Sequence, residues 1–256
     1  MNPAVETAIP NAHDYKPTLR TLSHAGLAVV RPELVISELD RSMNSSERAR
    51  RLLNVVIAAV LLVLSAPVML LIALLIKLTS PGPVIYQQTR VGVDRRNPRN
   101  GNGDGRRRVD YGGRLFTIYK FRTMRADPEA KVQVWAKPND SRITPLGRVL
   151  RKYRLDELPQ LFNVLKGDMN IVGPRPEQPN IFMNLREAID EYPLRQRVLP
   201  GITGWAQINH HYDQSLEDVR RKVSYDLQYI RSRSPWQDLR ILFRTVPVML
   251  FRKGAI

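Results

Sequence analysis

Residues 52–76 read LLNVVIAAVLLVLSAPVMLLIALLI, 25 consecutive positions without a charged side chain. As a helix, at about 1.5 Å per residue, this stretch extends about 37 Å, enough to cross a hydrocarbon core of about 30 Å. It starts too far into the chain and runs too long for an ordinary cleaved leader. Two features speak against a simple crossing. Ser65-Ala66-Pro67 stands at the midpoint, where Pro67 removes a backbone donor and crowds the preceding turn. Cations flank both ends, with Arg48, Arg50 and Arg51 before the run and Lys77, Arg90, Arg95 and Arg96 after it. That distribution gives no single orientation and fits both ends staying in the cytosol, as in a re-entrant helix-break-helix with its break at Ser65 and Pro67. A spanning helix kinked at proline is the alternative left open.

Outward from this run, composition bounds the rest. A chain of 256 residues with 43% hydrophobic side chains can build one good-sized domain plus appendages. Forty Lys and Arg against 24 Asp and Glu give a net charge of +16, which suits a polyanionic partner: nucleic acid, anionic lipid or phosphorylated small molecules. The absence of cysteine excludes disulfides and thiolate-metal sites.

The sequence divides into a weakly ordered N-terminal extension (1–47), a membrane helix (48–80) and a catalytic domain (81–256). Thr79-Ser80-Pro81-Gly82-Pro83 is a hard break, and 94–113 (DRRNPRNGNGDGRRRVDYGG) is a Gly, Asn and Arg-rich loop with little to bury. Leu115–Phe121 (LFTIYKF) has the β-branched and aromatic content of a strand, leading into a turn near Asp127-Pro128. Thr144-Pro145 predicts an N-cap and first-turn proline, opening a helix with Leu146, Val149, Leu150 and Tyr153 on one side. Three more helices are expected: Leu158, Leu161, Phe162 and Leu165 before Gly167; Leu216 to Ile230; and one opened by Ser234-Pro235 that carries Trp236, Leu239, Leu242, Phe243 and Val246. The fold class is therefore mainly α with a small β element.

The chemistry concentrates in 150–177, LRKYRLDELPQLFNVLKGDMNIVGPRPE, where adjacent Asp156 and Glu157 are framed by Arg151, Arg154, Lys166 and Arg175. Asp156 reads as a helix N-cap, as a phosphoryl acceptor, or as both. A carboxylate can attack phosphorus once a divalent cation and arginines neutralise the phosphate, and Mg²⁺ suits two carboxylates with retained waters. Arg151, Arg154, Arg175 and Arg122 are candidate phosphate clamps, because a planar guanidinium binds phosphate oxygens in pairs.

These segments resemble the bacterial sugar transferase family, monotopic polyprenyl-phosphate phosphoglycosyltransferases that initiate exopolysaccharide, O-antigen or glycan assembly. The likeness rests on ordered blocks over about four fifths of the chain: the apolar run with Pro67, Ser80-Pro81-Gly82-Pro83, Gln88-Thr89-Arg90-Val91-Gly92, Lys120-Phe121-Arg122-Thr123-Met124, Leu155-Asp156-Glu157-Leu158-Pro159-Gln160, Asn163-Val164-Leu165-Lys166-Gly167-Asp168-Met169, Gly173-Pro174-Arg175-Pro176-Glu177 and Pro200-Gly201-Ile202-Thr203-Gly204-Trp205. The resemblance implies transfer of sugar 1-phosphate from a nucleotide diphosphate sugar, usually a UDP-sugar, to undecaprenyl phosphate, with release of UMP. It implies Asp156 as the nucleophile that carries the phosphosugar, Asp156 and Glu157 at Mg²⁺, and Arg151 and Arg175 at phosphate. Lys120 and Arg122, and Arg195 and Arg197 before the Pro-Gly-Ile-Thr-Gly turn, are further donor-site candidates. It also implies a re-entrant helix in the inner membrane of a bacterium, with the active site on the cytosolic face, and oligomers are compatible with it.

Departures from the family pattern are the inserted loop at 94–113 and the lack of preceding spanning helices. His210-His211 reads as a surface or hydrogen-bonding pair as readily as a metal pair. Two rival functions remain: a membrane-tethered nucleic-acid binder using the basic loop, which is not expected as the primary role, and a scaffold for polymer-assembly enzymes without catalysis.

Overall fold

The computed structural model describes residues 47–94, 110–125, 140–210 and 215–250, with side chains to residue 248. The expected N-terminal extension up to residue 46, most of the 94–113 loop, the turn near Asp127-Pro128, and His211 lie outside the described residues.

Helices dominate, as the sequence leads one to expect, and the strands form two separate pairs. In chain order the elements are α1 (Glu47–Thr79), β1 (Ile85–Val91), β2 (Leu115–Phe121), α2 (Pro145–Lys152), a 3-10 turn (Leu155–Glu157), α3 (Gln160–Lys166), β3 (Asn170–Val172), α4 (Pro179–Ala188), a second 3-10 segment (Tyr192–Arg197), β4 (Gly201–Thr203), α5 (Trp205–Asn209), α6 (Leu216–Ser232) and α7 (Pro235–Leu250). The hairpin pairs β1 with β2 antiparallel, from Ile85↔Phe121 to Val91↔Leu115. The short parallel pair sets Asn170 opposite Gly201 and Val172 opposite Thr203. Its close approach needs glycine, since a Cβ on Gly201 would run into the amide nitrogen of Gly173. Only β2 is foreseen from sequence; β1 alternates polar residues, and β3 and β4 are three residues each, too short for a period to show.

Helix α1 is apolar and long enough to cross a membrane, and most of its surface is exposed. Pro67 lies inside it without interrupting the helical run, so the expected break is not a gap in secondary structure. Both ends of α1 are buried against the rest of the chain. Near its start Ala58 joins Phe116, Ile118, Leu161, Val164 and Met169, and near its finish Ile72 and Ile76 join Phe121 and Leu150. Between these contacts Val60, Val63, Leu64, Val68, Leu70 and Leu71 stand exposed. Polar contacts fix the first turns. Arg50 forms a buried pair with Asp238 of α7, Nε to Oδ2 at 3.1 Å and Nη2 to Oδ2 at 2.9 Å, and Nη2 also donates to Tyr229 Oη at 2.6 Å. Arg51 donates to the carbonyls of Val164 and Leu165 at 2.7 and 3.0 Å, satisfying the open end of α3. Asn54 Oδ1 accepts from the amide of Ile171 at 2.6 Å, which ties α1 to β3.

Helix caps follow sequence closely. Thr144 Oγ1 accepts from Gly147 N at 2.9 Å with Pro145 in the first turn, and Gly167 ends α3 at φ +86°. The expected inward faces need three corrections. Phe162 is exposed because α3 starts at Gln160, which turns Leu161, Asn163 and Val164 inward instead. In α2 only Leu150 of the expected stripe is fully buried, whereas Val149 and Tyr153 are exposed. In α7 Asp238 and Ile241 face inward and leave Trp236, Phe243 and Val246 outside.

Candidate active site

The site is assembled where the 3-10 turn Leu155–Glu157 connects α2 to α3. Arg154 enters the turn at φ +53°, the only non-glycine in the left-handed region among the described residues, and this reversal sets Asp156 and Glu157 side by side in the interior. The turn closes through Glu157 N to Arg154 O at 3.1 Å and Leu158 N to Leu155 O at 3.3 Å. Asp156 is not an N-cap. The capping position of α3 is Pro159, and among the described residues no donor reaches the Asp156 carboxylate.

The two carboxylates are treated in opposite ways. Glu157 Oε1 receives Lys120 Nζ at 3.0 Å and Arg175 Nη2 at 2.8 Å, with Arg154 Nη1 at 3.8 Å. Burial alone would raise the Glu157 carboxyl, but the charges of Arg175, Lys120 and Arg154 outweigh it and hold the group well below the usual carboxylate range. Asp156 is almost as deeply buried and has no such partner. Burial, then the neighbouring negative charge of Glu157, push it up to about 6, with Lys120, Arg175 and Arg151 opposing. One carboxylate is a fixed anion inside a cationic cage, and the other receives no hydrogen bond from any described residue. Desolvation also lowers Lys120, an effect its pairing with Glu157 opposes.

Of the residues singled out from sequence, Lys120, Arg175, Asp156 and Glu157 are brought together. Arg151 lies near enough to act on Asp156, and among the described residues its buried Nη1 has no hydrogen-bond partner. That orphan suits a phosphate oxygen. Two other candidates are occupied by the fold. Arg122 donates to Pro81 O at 2.7 Å and to Ser80 O and Oγ, both at 2.8 Å, fastening the end of β2 to the segment after α1. Arg195 is 1% exposed and pairs with Asp226 Oδ2 at 2.7 Å and Tyr192 Oη at 2.7 Å. Arg197 is half-buried at the end of the same 3-10 segment. Ser65, the expected break residue, lies within 3.5 Å of Leu62 O and Met69 Sδ.

Sequence reasoning missed Asn163, fully buried on α3. Its Nδ2 donates to Thr117 O at 2.6 Å and its Oδ1 accepts from Tyr119 N at 3.1 Å, which sets β2, and with it Lys120, against the dyad. An amide between Leu161 and Val164 on an inward face was the available signal. Arg90 and Glu177 were also given no role; they pair at 3.4 Å behind Arg175. No cluster of three or more His, Cys, Asp or Glu that could hold a metal occurs among the described residues. The adjacent carboxylates of Asp156 and Glu157 bring hard oxygen donors together, the donor type that Mg²⁺ takes.

The sequence matches the family described as bacterial sugar transferase over residues 45–99 and 105–252; the chain belongs to that family. It is 42% identical over 206 residues to a UDP-N-acetylgalactosamine-undecaprenyl-phosphate N-acetylgalactosaminephosphotransferase of Aeromonas hydrophila, covering 80% of this chain and 44% of the relative. It is 42% identical over 208 residues to a UDP-glucose:undecaprenyl-phosphate glucose-1-phosphate transferase of Escherichia coli (strain K12), covering 80% and 41%. A Caulobacter vibrioides enzyme with that same name is 41% identical over 208 residues, covering 80% of this chain and 71% of the relative. The chain thus spans less than half the length of the first two.

Proposed function

We propose that this protein is a phosphoglycosyltransferase that moves sugar 1-phosphate from a nucleotide diphosphate sugar, a UDP-sugar by analogy with its relatives, to undecaprenyl phosphate. The observation that carries the reading is the bare, buried carboxylate of Asp156 beside the caged Glu157. A structural acid is ordinarily paired; Asp156, which receives no hydrogen bond from a described residue and feels the charge of Arg151, is arranged for something that arrives.

In the first half-reaction an oxygen of ionised Asp156 forms a bond to the phosphorus nearer the sugar. The bond from that phosphorus to the bridging oxygen breaks, UMP leaves with the electron pair, and the phosphosugar stays on the carboxylate. In the second, an oxygen of the lipid phosphate attacks the same phosphorus and the carboxylate leaves, restoring Asp156. Arg151 and Arg175 neutralise the phosphate oxygens, while Glu157, its charge offset by Lys120 and Arg175, keeps those cations in place. Asp156 and Glu157 would hold Mg²⁺, which when bound neutralises phosphate charge and polarises the phosphoryl oxygens.

The reading extends to the membrane. Helix α1 is taken to be re-entrant, entering and leaving by the cytosolic leaflet of the inner membrane, because both of its ends are buried on the same body while the stretch around Pro67 is exposed and apolar. Exposed Trp236, Phe243 and Val246 on α7, with Arg240 and Arg244, suit the headgroup layer. An enzyme fixed at that depth meets the phosphate of a long lipid acceptor in a planar search. The quoted relatives are all sugar phosphotransferases, which disfavours the scaffold and nucleic-acid readings.

The test is UMP release from a panel of UDP-sugars by protein in lipid nanoparticles with Mg²⁺ and undecaprenyl phosphate, comparing wild type with Asp156→Asn. Release that depends on Asp156 and product that appears on the lipid support the reading. Unchanged release by Asp156→Asn removes the nucleophile, and silence across donors of every base removes the transferase.

A further inference from the structure

Arg175 reaches Glu157 from Pro174-Arg175-Pro176-Glu177, a segment whose four consecutive carbonyls are each engaged by another residue, from β1, β4 or the second 3-10 segment. Pro174 O accepts from Gly201 N at 3.0 Å, Arg175 O from Arg195 Nη2 at 3.0 Å, Pro176 O from Arg90 Nη1 at 3.2 Å, and Glu177 O from Val91 N at 2.9 Å. The two prolines fix φ and remove amide donors, so these carbonyl contacts decide where the segment sits. Two of the four donors are guanidinium groups.

Arg195 has a partner for every nitrogen: Nε on Asp226 Oδ2, Nη1 on Tyr192 Oη, and Nη2 on the Arg175 carbonyl. It also stacks over the Tyr192 ring, 4.8 Å from the centroid. Asp226, on α6, is 1% exposed, as is Arg195. Neither has a surface to offer a substrate, and among the described residues Arg195 meets the site through the Arg175 carbonyl.

We infer that Asp226 is a positioning residue: through Arg195 it fixes the backbone of Arg175 and thereby the register of the Arg175 guanidinium against Glu157. The inference rests on the transferase reading only for its effect on rate. In Asp226→Asn the Arg195 side chain loses its counter-charge, the Arg175 carbonyl loses a fixed donor, and the Arg175 guanidinium spends less time on Glu157.

Two measurements decide it. Phenylglyoxal labelling followed by peptide mass spectrometry reads the exposure of Arg175 without any turnover; Asp226→Asn should label Arg175 several times faster than wild type while Arg151 labels at an unchanged rate. UMP release should show kcat lower by about tenfold with donor KM within about twofold, and the same substitution in an Arg175→Ala background should change kcat by less than about twofold, because the effect passes through Arg175. If Asp226→Asn does not fold, Tyr192→Phe keeps the ring, removes one partner of Arg195, and should give the same pattern with smaller amplitude. Unchanged labelling of Arg175 in a folded variant, equal losses in both backgrounds, or a rise in KM alone would overturn the inference. A wild type that releases no UMP from any donor would refute the transferase reading, while the labelling still decides whether Asp226 positions Arg175.

Discussion

Arg50 and Asp238 stand 188 residues apart in sequence and meet as a buried pair, 2.9 Å between Nη2 and Oδ2. The pair joins the first turn of the apolar helix α1 to α7, and Tyr229 Oη closes it by donating to Asp238 Oδ1 at 2.8 Å. Removing one member leaves the other buried with weaker compensation, Arg50 keeping Glu47 at 3.3 Å and Asp238 keeping Tyr229 at 2.8 Å. Asp238→Asn or Arg50→Met alone should cost about 3–5 kcal/mol, and the double substitution Arg50→Met with Asp238→Leu should cost less than either. Thermal unfolding in detergent reads the difference; equal costs for all three would refute the pairing.

Arg122 looked from sequence like a phosphate ligand, yet its guanidinium is committed to Ser80 and Pro81. Arg122→Ala should lower stability by about 1–3 kcal/mol through lost charge-assisted bonds to the Ser80 and Pro81 carbonyls. Donor KM in the folded fraction should stay within about twofold of wild type, and a large rise in KM would return Arg122 to the donor site.

The dyad predicts unequal losses. Asp156→Asn should abolish UMP release, by a factor of about 10³ or more, whereas Glu157→Gln should lose about 10–100-fold, because it weakens the hold on Lys120 and Arg175 but leaves the nucleophile. Stopped-assay rates for the two variants check the order, and similar residual rates would contradict separate roles.

Asp156 also gives a pH prediction. Its carboxyl is raised in the folded chain, so between the ordinary value of 3.8 and about 6 the folded state binds more protons than the unfolded one. Metal-free stability from this group is therefore greatest below that window and declines as pH rises through it. Asp156→Asn should remove that decline, and Mg²⁺ should offset it at pH 7. Melting temperatures at pH 5 and pH 7.5, with chelator and with Mg²⁺, give the comparison. In the same window UMP release should rise with pH as Asp156 ionises.

What could be read from sequence followed the signals that single residues carry. The uncharged run, the Thr144-Pro145 cap and Gly167 each act within a few residues, so their outcome showed before the fold did. The dyad was visible as adjacent acids among cations. Which acid is caged was not, because Lys120 and Arg175 reach Glu157 from β2 and from the segment after β3. The partners of Arg122 and Arg195 were hidden for the same reason: a guanidinium that binds phosphate and one that binds a carbonyl look alike until the partner is placed. Asp226 needed the third dimension altogether.

The account stands or falls on the covalent step. Wild-type protein mixed with a UDP-sugar it turns over, in Mg²⁺ and without lipid acceptor, should release one UMP per active site in a burst. Its intact mass should rise by a sugar phosphate that fragments to the peptide carrying Asp156, and the added mass should leave when undecaprenyl phosphate is supplied. UMP release that requires the lipid from the outset, with no adduct on Asp156 at any time, would contradict it.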